Sequence, residues 1–258
     1  MLALGLSNAP LAAQTAVSRG TISEILDSNQ VYIQNNSARV NDVANRGQQV
    51  RTGSARAQVT FNTGAVARLS NNSALTIGQC AQLQRGRLLV NGAVNGCTGS
   101  ITAGVRGTTY IIEVDEAGQA QVTVLDGEVV VTQQSDSSSG AAAGSAPSPP
   151  NGPLAGDAAQ SPPSPAIAPS TQDSVTLTAG KKLATRPGER LGTAERLSVE
   201  DFVAILTGEL FRSFLEQLPG MDNIRSSFQR LYPSVPFPLG APELPGRDLS
   251  PPRTPLGL

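Results

Sequence analysis

The stretch GVRGT at residues 104–108 holds the residue types that most directly suggest chemistry. Arg106 stands alone between Gly104 and Gly107. The backbone N–H groups of a glycine-flanked turn, together with a guanidinium, can hold a phosphate or a carboxylate. The alternative is structural: the glycines adopt unusual φ values while Arg106 donates hydrogen bonds to nearby carbonyls. We favour the structural interpretation of Gly104, Val105, Arg106, Gly107 and Thr108, and keep the binding turn as the alternative.

Five carboxylates form the second group that could do chemistry. Paired carboxylates are what glycoside hydrolysis requires, and residues two apart on a regular strand share a face, as Glu113 and Asp115 would. Acidic residues at strand ends beside turn glycines are more commonly solvated. We therefore predict no catalytic residues and treat an enzyme as the least favoured class. The five residues are Glu113, Asp115, Glu116, Asp126 and Glu128.

The amino-acid composition excludes several kinds of site. Histidine is absent, which excludes Ser-His-Asp and Cys-His catalysis, imidazole metal sites and histidine pH switches. The two cysteines are too few for a zinc site built from cysteine and histidine. We predict neither a metal site nor a cofactor.

The charge and hydropathy patterns limit the partners. The net charge is −1, with 19 basic and 20 acidic residues and no basic block, so the electrostatic footprint of a nucleic-acid-binding protein is missing. No apolar run reaches the roughly 20 residues that a transmembrane helix needs. We expect neither nucleic acid as a partner nor a membrane-spanning helix.

The first residues favour a location outside the cytoplasm. Residues 1–16 are small and apolar, and their LAAQ resembles the end of a secretory signal, although the positive n-region is missing. A remnant of a signal peptide is favoured over a floppy N-terminus. In a periplasmic or secreted protein, Cys80 and Cys97 can form a disulfide. The alternative is that both are small buried side chains.

Short alternating segments between residues 19 and 133 predict β-strands. Asn62-Thr63-Gly64 and residues 115–118 (DEAG) suit hairpin turns, and Asp126-Gly127 has the composition of a type I′ hairpin turn. Strands of this length and spacing are typical of a sandwich, roll or solenoid. The clearest predicted strands span residues 21–26, 30–34, 57–61, 65–70, 108–114 and 119–125.

A low-complexity segment interrupts the β region. Serine, alanine, glycine and proline dominate residues 134–170, which predicts a disordered linker. Residues 171–192 then predict one more hairpin of the same domain, with a turn at Ala179-Gly180, so the linker would be an insertion. The proline-rich tail, residues 233–258, predicts a second disordered region.

Residues 197–232 predict a pair of amphipathic helices. The first, over residues 197–220, begins at Ser198 with Asp201 three positions on, as in a capping box; the second spans residues 221–232. Their apolar stripe must be buried, either on the chain's own β domain or on a partner. The stripe that could dock on a partner comprises Phe202, Leu206, Leu210, Phe214 and Phe228.

Two motifs in this order resemble the FecR domain. Residues 50–78 resemble its first half, and residues 101–131, with GVRGT followed by an alternating valine strand and a glycine, resemble its second half. The resemblance covers about residues 45–133 and the strands after the linker. It implies an all-β, antiparallel roll or solenoid-like extracytoplasmic domain, followed here by a short C-terminal helical segment and disordered proline-rich regions.

The resemblance also implies a function. In the best-known FecR proteins this domain receives a signal from an outer-membrane siderophore receptor and regulates a sigma factor across the inner membrane. The sequence shows neither the cytoplasmic anti-sigma segment nor a transmembrane helix, so only the recognition role is carried over, onto residues 104–108. We expect a non-catalytic module for protein interaction or signal sensing, with an outer-membrane receptor or an inner-membrane regulator as partner.

Binding to cell-envelope glycan is the alternative function. Modules of this kind stack exposed aromatic side chains on sugar rings. The β region offers only three aromatic side chains for that purpose, Tyr32, Phe61 and Tyr110.

Overall fold

A computed structural model describes residues 17–134 and 174–239. The predicted signal remnant lies outside the described residues, as do residues 135–170 of the predicted linker and residues 240–258 of the tail. The described chain is mostly β-strand, with two short helices near its C-terminus. This confirms the all-β fold with a C-terminal helical segment.

The strands form two sheets that face each other across one core. In sheet A the order of hydrogen-bonded strands is β1, β6, β7, β9, β12, β13, β16 and β17, with β4 also paired to β1. Its strands are β1 (Arg19–Leu26), β4 (Val43–Asn45), β6 (Arg56–Phe61), β7 (Val66–Leu69), β9 (Ala81–Gly92), β12 (Thr108–Val114), β13 (Ala120–Asp126), β16 (Lys181–Thr185) and β17 (Glu195–Arg196).

Sheet B runs from β3 through β2, β5, β8, the first part of β9, β10, β11 and β14 to β15. Its further strands are β2 (Val31–Ile33), β3 (Asn36–Ser37), β5 (Gln49–Thr52), β8 (Ala74–Thr76), β10 (Gly96–Cys97), β11 (Ile101–Val105), β14 (Glu128–Gln133) and β15 (Ser174–Thr178).

Strand β9 belongs to both sheets and bends at Gly86. Its first half pairs with β8 and β10, and its second half pairs with β7 and β12. Gly86 has φ +86°, and a Cβ there would lie 2.3 Å from Ser73 Oγ. Only glycine suits such a bend, because an L side chain is disfavoured at this φ and has no room.

The predicted strands are confirmed to within one or two residues at their ends. The hairpin connections at residues 62–64 and 115–118 are confirmed as well, because β6 pairs with β7 and β12 pairs with β13. Regular alternation explains this success: the inward side chains of each strand enter one apolar core between the sheets.

The predicted hairpins at Asp126-Gly127 and Ala179-Gly180 are wrong. Strand β13 lies in sheet A and β14 in sheet B, and β15 and β16 are divided in the same way. A type I′ hairpin needs positive φ at both central residues. Here Gly127 has φ +83° and Asp126 does not have a positive φ. Each glycine therefore marks a corner at which the chain passes from one sheet to the other.

Three such corners lie side by side at one edge of the sandwich, and close packing explains the glycines at positions 127 and 180. Arg106-Gly107 is the first, between β11 and β12; Asp126-Gly127 and Ala179-Gly180 follow. A Cβ on Gly127 would lie 2.5 Å from Thr108 Cγ2, whereas a Cβ on Gly107 would meet nothing within 4 Å.

Replacing Gly127 with alanine is expected to lower the free energy of unfolding by about 3 kcal/mol. Left-handed φ accounts for about 1–2 kcal/mol of this and crowding against Thr108 for the remainder. Gly107→Ala is the matched control, with left-handed φ but open space, and should lose only about 1–2 kcal/mol. Urea unfolding followed by circular dichroism measures both, and equal losses would contradict the crowding.

The predicted helical pair is shorter than its pattern indicates. Helix α1 is Val199–Leu206, and its N-cap Ser198 accepts a hydrogen bond from the backbone N–H of Asp201, as predicted. Helix α2 is Met221–Leu231. Residues 207–220 form turns, so the prediction of one helix over residues 197–220 is wrong. The helix ends at Leu206, with Thr207 as its C-cap.

Helices α1 and α2 cover the outer face of sheet A. A second apolar cluster joins Phe202, Leu206, Ile224 and Phe228 of the helices to outward side chains of the sheet. The rings of Phe202 and Phe228 meet edge to face at 5.3 Å. Neither helix of the described chain has the length and apolar character needed to cross a bilayer. The central strands β6, β7 and β12 of sheet A are thus buried on both faces. The outward side chains that sheet A contributes to this apolar cluster are Val66, Leu89, Ile111 and Leu125.

Candidate functional site

The GVRGT stretch forms the first corner between the sheets. Only Gly107 has a left-handed φ, at +61°, while Gly104 lies in β11 with ordinary contacts. Arg106 is exposed, and among the described residues its side chain has no hydrogen-bond or salt-bridge partner. The interpretation of Arg106 as a donor to nearby carbonyls is therefore wrong. The prediction of an unusual φ at Gly104 is wrong as well. The corner presents a free guanidinium to solvent.

Three of the five carboxylates have separate structural partners, and the other two are exposed. Arg87 binds Glu113, with Nε 2.6 Å from Oε1, and also binds Glu209 at 3.3 Å. The Asp115 carboxylate accepts a hydrogen bond from the backbone N–H of Gln119, and that of Asp126 accepts one from the hydroxyl of Ser227. The other two, Glu116 and Glu128, are exposed. In the described part of the chain no cluster of three or more acidic or sulfur side chains could hold a metal ion.

The three aromatic side chains considered for sugar stacking are not available as platforms. Phe61 and Tyr110 are buried between the sheets. The hydroxyl of Tyr110 donates to the carbonyl of Val94 at 2.7 Å, and burial raises the pKa of this phenol. Tyr32 is half-buried, and the guanidinium of Arg51 lies 5.6 Å from the centre of its ring.

Cys80 and Cys97 form a disulfide that joins neighbouring strands of sheet B. Their Cα atoms are 5.9 Å apart. Cys97 lies in β10, beside Gln82 of β9, and Cys80 directly precedes β9. The bridge therefore fastens the parallel contact between β9 and β10.

A polar cluster that the sequence analysis missed crosses the outer face of sheet A. Glu24 of β1, Gln58 of β6 and Arg68 of β7 lie in one cross-strand row, because Glu24 is the register partner of Gln58, and Gln58 that of Arg68. Arg56 lies two residues before Gln58 on the same face. All four side chains are at least nine-tenths buried, and Arg68 is only 1% exposed.

The two arginines bind main-chain carbonyls of residues 209–216, which we call the clamped segment. Arg56 Nη1 donates to the carbonyls of Glu209 and Arg212, the latter at 2.8 Å. The two Nη atoms of Arg68 donate to the carbonyls of Leu210 and Glu216, at 3.2 Å and 2.6 Å. These four hydrogen bonds fasten the segment that follows helix α1 to the outer face of sheet A.

Two further groups complete the attachment of the clamped segment. Glu24 Oε1 accepts a hydrogen bond from the backbone N–H of Leu215 at 2.8 Å. The ring of Phe214 lies 4.1 Å from the guanidinium carbon of Arg68 and 5.4 Å from that of Arg56. Cations stack favourably on aromatic faces, most strongly where water is excluded.

Burial and neighbouring charges shift the pKa values in this cluster. Burial lowers the pKa of Arg68 to about 10, against the attraction of Glu24 and Glu216. The guanidinium stays positively charged at neutral pH. A hydrogen bond from Arg56 lowers the pKa of Asp27, whose carboxylate lies 2.6 Å from Arg56 Nε, and the same bond raises the pKa of Arg56.

Asp27→Asn is expected to weaken the acid sensitivity of folding. The folded-state pKa of Asp27 lies below 3.8, so the contribution of its carboxylate is complete above that pH and is lost as the pH falls through the folded-state pKa. Because Asp27 is half exposed, about 0.5–1 kcal/mol is expected. Urea unfolding at pH 7 should show this loss, and the difference between the two chains should shrink as the pH falls below 3.8. A difference that does not depend on pH would contradict the ion pair.

The predicted docking stripe covers the chain's own sheet. Phe202, Leu206, Leu210 and Phe228 are buried in the cluster on sheet A, and Phe214 is half-buried against the two arginines. This burial decides between the alternatives left open by the sequence. The interpretation of the stripe as a free partner-docking face is wrong, because its apolar area already has an intramolecular partner.

A comparison with protein-family models matches residues 48–130 to the FecR protein family. The chain contains a FecR domain. The domain includes both cysteines, the corner at residues 104–108 and the side chains of Arg56, Gln58 and Arg68. Glu24 and the clamped segment lie outside it. The arginines thus belong to the FecR domain, while the carbonyls that they bind come from another part of the chain.

The comparison with solved structures shows distant likeness. Two crystal structures of a "putative anti-sigma factor" from Parabacteroides distasonis ATCC 8503 each share 12% identity with the chain, at a TM-score of 0.42. The first match covers 72% of this chain and 74% of the other, and the second covers 62% and 64%. Likeness at this level is too distant to assign a function. No curated protein matches the chain.

Proposed function

We propose that this chain is a non-catalytic module for protein interaction or signal sensing that works outside the cytoplasm. The FecR domain over residues 48–130 carries the proposal. Resemblance to the family implies recognition of an envelope protein through the corner at residues 104–108. The exposure of Arg106, with no intramolecular partner among the described residues, supports a role in contact with another molecule.

The disulfide supports the location. Disulfides persist in secreted and periplasmic proteins and are rare in the reducing cytosol. The bridge joins two strands inside the FecR domain, where it constrains a chain segment of 17 residues. The small apolar residues before position 17 agree with export.

The chemistry of the side chains supports a role without catalysis. The chain has no histidine to act as a general base. The carboxylates that could replace it are each exposed at a turn or engaged with a structural partner. A protein–protein contact therefore fits the available groups better than a reaction does.

The location can be tested by trapping thiols in intact cells with a maleimide that adds mass. We expect neither cysteine to react with the maleimide until the protein is reduced. We also expect the protein in the fraction from outside the cytoplasm. Free thiols at Cys80 and Cys97 in cytoplasmic protein would reject the proposed location.

The interaction can be tested with a photo-crosslinking residue at position 106. Position 46 provides a matched control, because Arg46 is also an exposed arginine beside a strand but lies outside the FecR domain. We expect an envelope protein to be captured from position 106 and not from position 46. Equal capture from both positions, or capture of cell-wall glycan alone, would contradict recognition of a protein by the corner.

A further inference from the structure

We propose that the polar face of sheet A is a peptide-binding site, now occupied by the chain's own clamped segment, and that it accepts a loop of a protein partner instead. The site consists of Glu24, Arg56, Gln58 and Arg68. The inference rests on the proposed interaction function and names a second surface for it, away from the corner at Arg106.

Recognition at this face is directed mainly at main-chain groups. Four carbonyls and one N–H of the clamped segment are bound by Arg56, Arg68 and Glu24. Such groups are present in every peptide, so the site tolerates many sequences. The side chain that the arginines select is an aromatic ring, at the position of Phe214.

One buried atom of the site remains unsatisfied by the clamped segment. Glu24 is 8% exposed, and its Oε2 has no hydrogen-bond partner within the described structure. A buried carboxylate oxygen without a donor is costly. A ligand that supplies one more N–H, from its main chain or from a lysine, would complement the site better than the chain's own segment does.

The clamped segment is placed so that part of it can leave while the fold persists. Helices α1 and α2 on either side are anchored by the buried rings of Phe202 and Phe228. Residues 212–216 instead attach through main-chain groups and through the Phe214 ring on the two guanidinium groups. Water can solvate the charged and main-chain groups once they separate. Leu215 is 91% exposed at this point, so a partner can reach the segment from solvent.

These contacts define the chemistry of the partner. The ligand is a loop with an aromatic residue whose neighbours at −2 and +2 direct their carbonyls to the sheet, as Arg212 and Glu216 do. The N–H at +1 faces Glu24, as that of Leu215 does. An additional donor in the loop would bind Glu24 Oε2.

The test measures binding of a fluorescent peptide, with the sequence of residues 209–218, to the full-length chain by anisotropy. The Phe214→Ala chain should bind it about tenfold more tightly than the original chain, because its own segment competes less well. Adding Arg68→Met should abolish binding in a double variant whose circular dichroism shows that it is still folded. The peptide with alanine at the position of Phe214 should not bind. Gln217→Ala, which changes an exposed side chain just beyond the clamped segment, is the matched control chain and should behave like the original.

If the Phe214→Ala chain has an unchanged circular dichroism spectrum but does not bind the peptide, the proposal is overturned. Peptide binding that Arg68→Met does not affect would also overturn it. If Phe214→Ala does not fold, Phe214→Leu keeps the apolar bulk without the aromatic face and is judged by the same outcomes. These measurements use purified protein. Their failure would leave the export and crosslinking results unchanged, so the two proposals can fail separately.

Discussion

Replacing Arg68 with methionine is expected to lower the free energy of unfolding by about 3–5 kcal/mol. Methionine keeps most of the apolar length of the side chain but removes the positive charge and the three nitrogens that donate hydrogen bonds. The carbonyls of Leu210 and Glu216, and the side chain of Gln58, then lose their partner. Glu24 would lose an opposing charge while remaining buried, which is the main cost of breaking a buried ion network.

The effect of Arg68→Met should be separable from a general cost of losing an arginine. Arg106→Met makes the same chemical change at an exposed position without a partner among the described residues, and should alter stability by less than about 0.5 kcal/mol. Arg68→Lys should fall between them, because one ammonium cannot reproduce the forked geometry. Urea unfolding followed by circular dichroism gives all three values. A loss below about 1 kcal/mol for Arg68→Met would show that the clamped segment is held mainly by other contacts.

Replacing Phe202 with alanine is expected to lower the free energy of unfolding by about 3–5 kcal/mol. The side chain is fully buried, and its ring meets Phe228 at 5.3 Å and Tyr232 at 6.0 Å. Its removal leaves a cavity between α1 and sheet A and breaks two edge-to-face contacts. Because the cluster includes Ile111 of the sheet, the strands and helices should unfold in one transition.

Leu215→Ala is the control for Phe202→Ala. It also removes an apolar side chain near the helices, but Leu215 is 91% exposed, and a change within about 0.5 kcal/mol is expected. Circular dichroism in urea measures stability, and hydrogen exchange shows whether β12 loses protection together with α1. A Phe202→Ala chain with unchanged stability would mean that the helices contribute little to the fold.

The strand positions could be predicted because alternation is a local property. Residues 108–114 are rich in β-branched and aromatic residues, and β12 has those bounds. The glycines located the corners correctly, but the corners at Asp126-Gly127 and Ala179-Gly180 were interpreted wrongly as hairpin turns. Gly127 supplies a left-handed φ in either a hairpin or a corner, and the local sequence does not say which strand will pair with β13. Pairing depends on β12 and β16, and β16 lies more than 50 residues further along the chain.

The polar site on sheet A could not be predicted for a similar reason. Arg56, Gln58 and Arg68 occupy the outward positions of β6 and β7, where alternation places polar residues facing water. Nothing in that pattern shows that a segment about 150 residues away will cover them. Helix α1 also ends at Leu206, although the apolar stripe continues to residue 218.

The sequence by itself determined the positions of most strands, the glycine corners, the helical starts and the FecR motifs, since each depends on neighbouring residues. Only the tertiary structure decided which strands share a sheet, which apolar stripe is covered and which arginines are buried. Those outcomes depend on contacts between residues distant in the chain. The free energy of such a contact depends on whether water is excluded from both partners at once, and a local pattern does not contain that information.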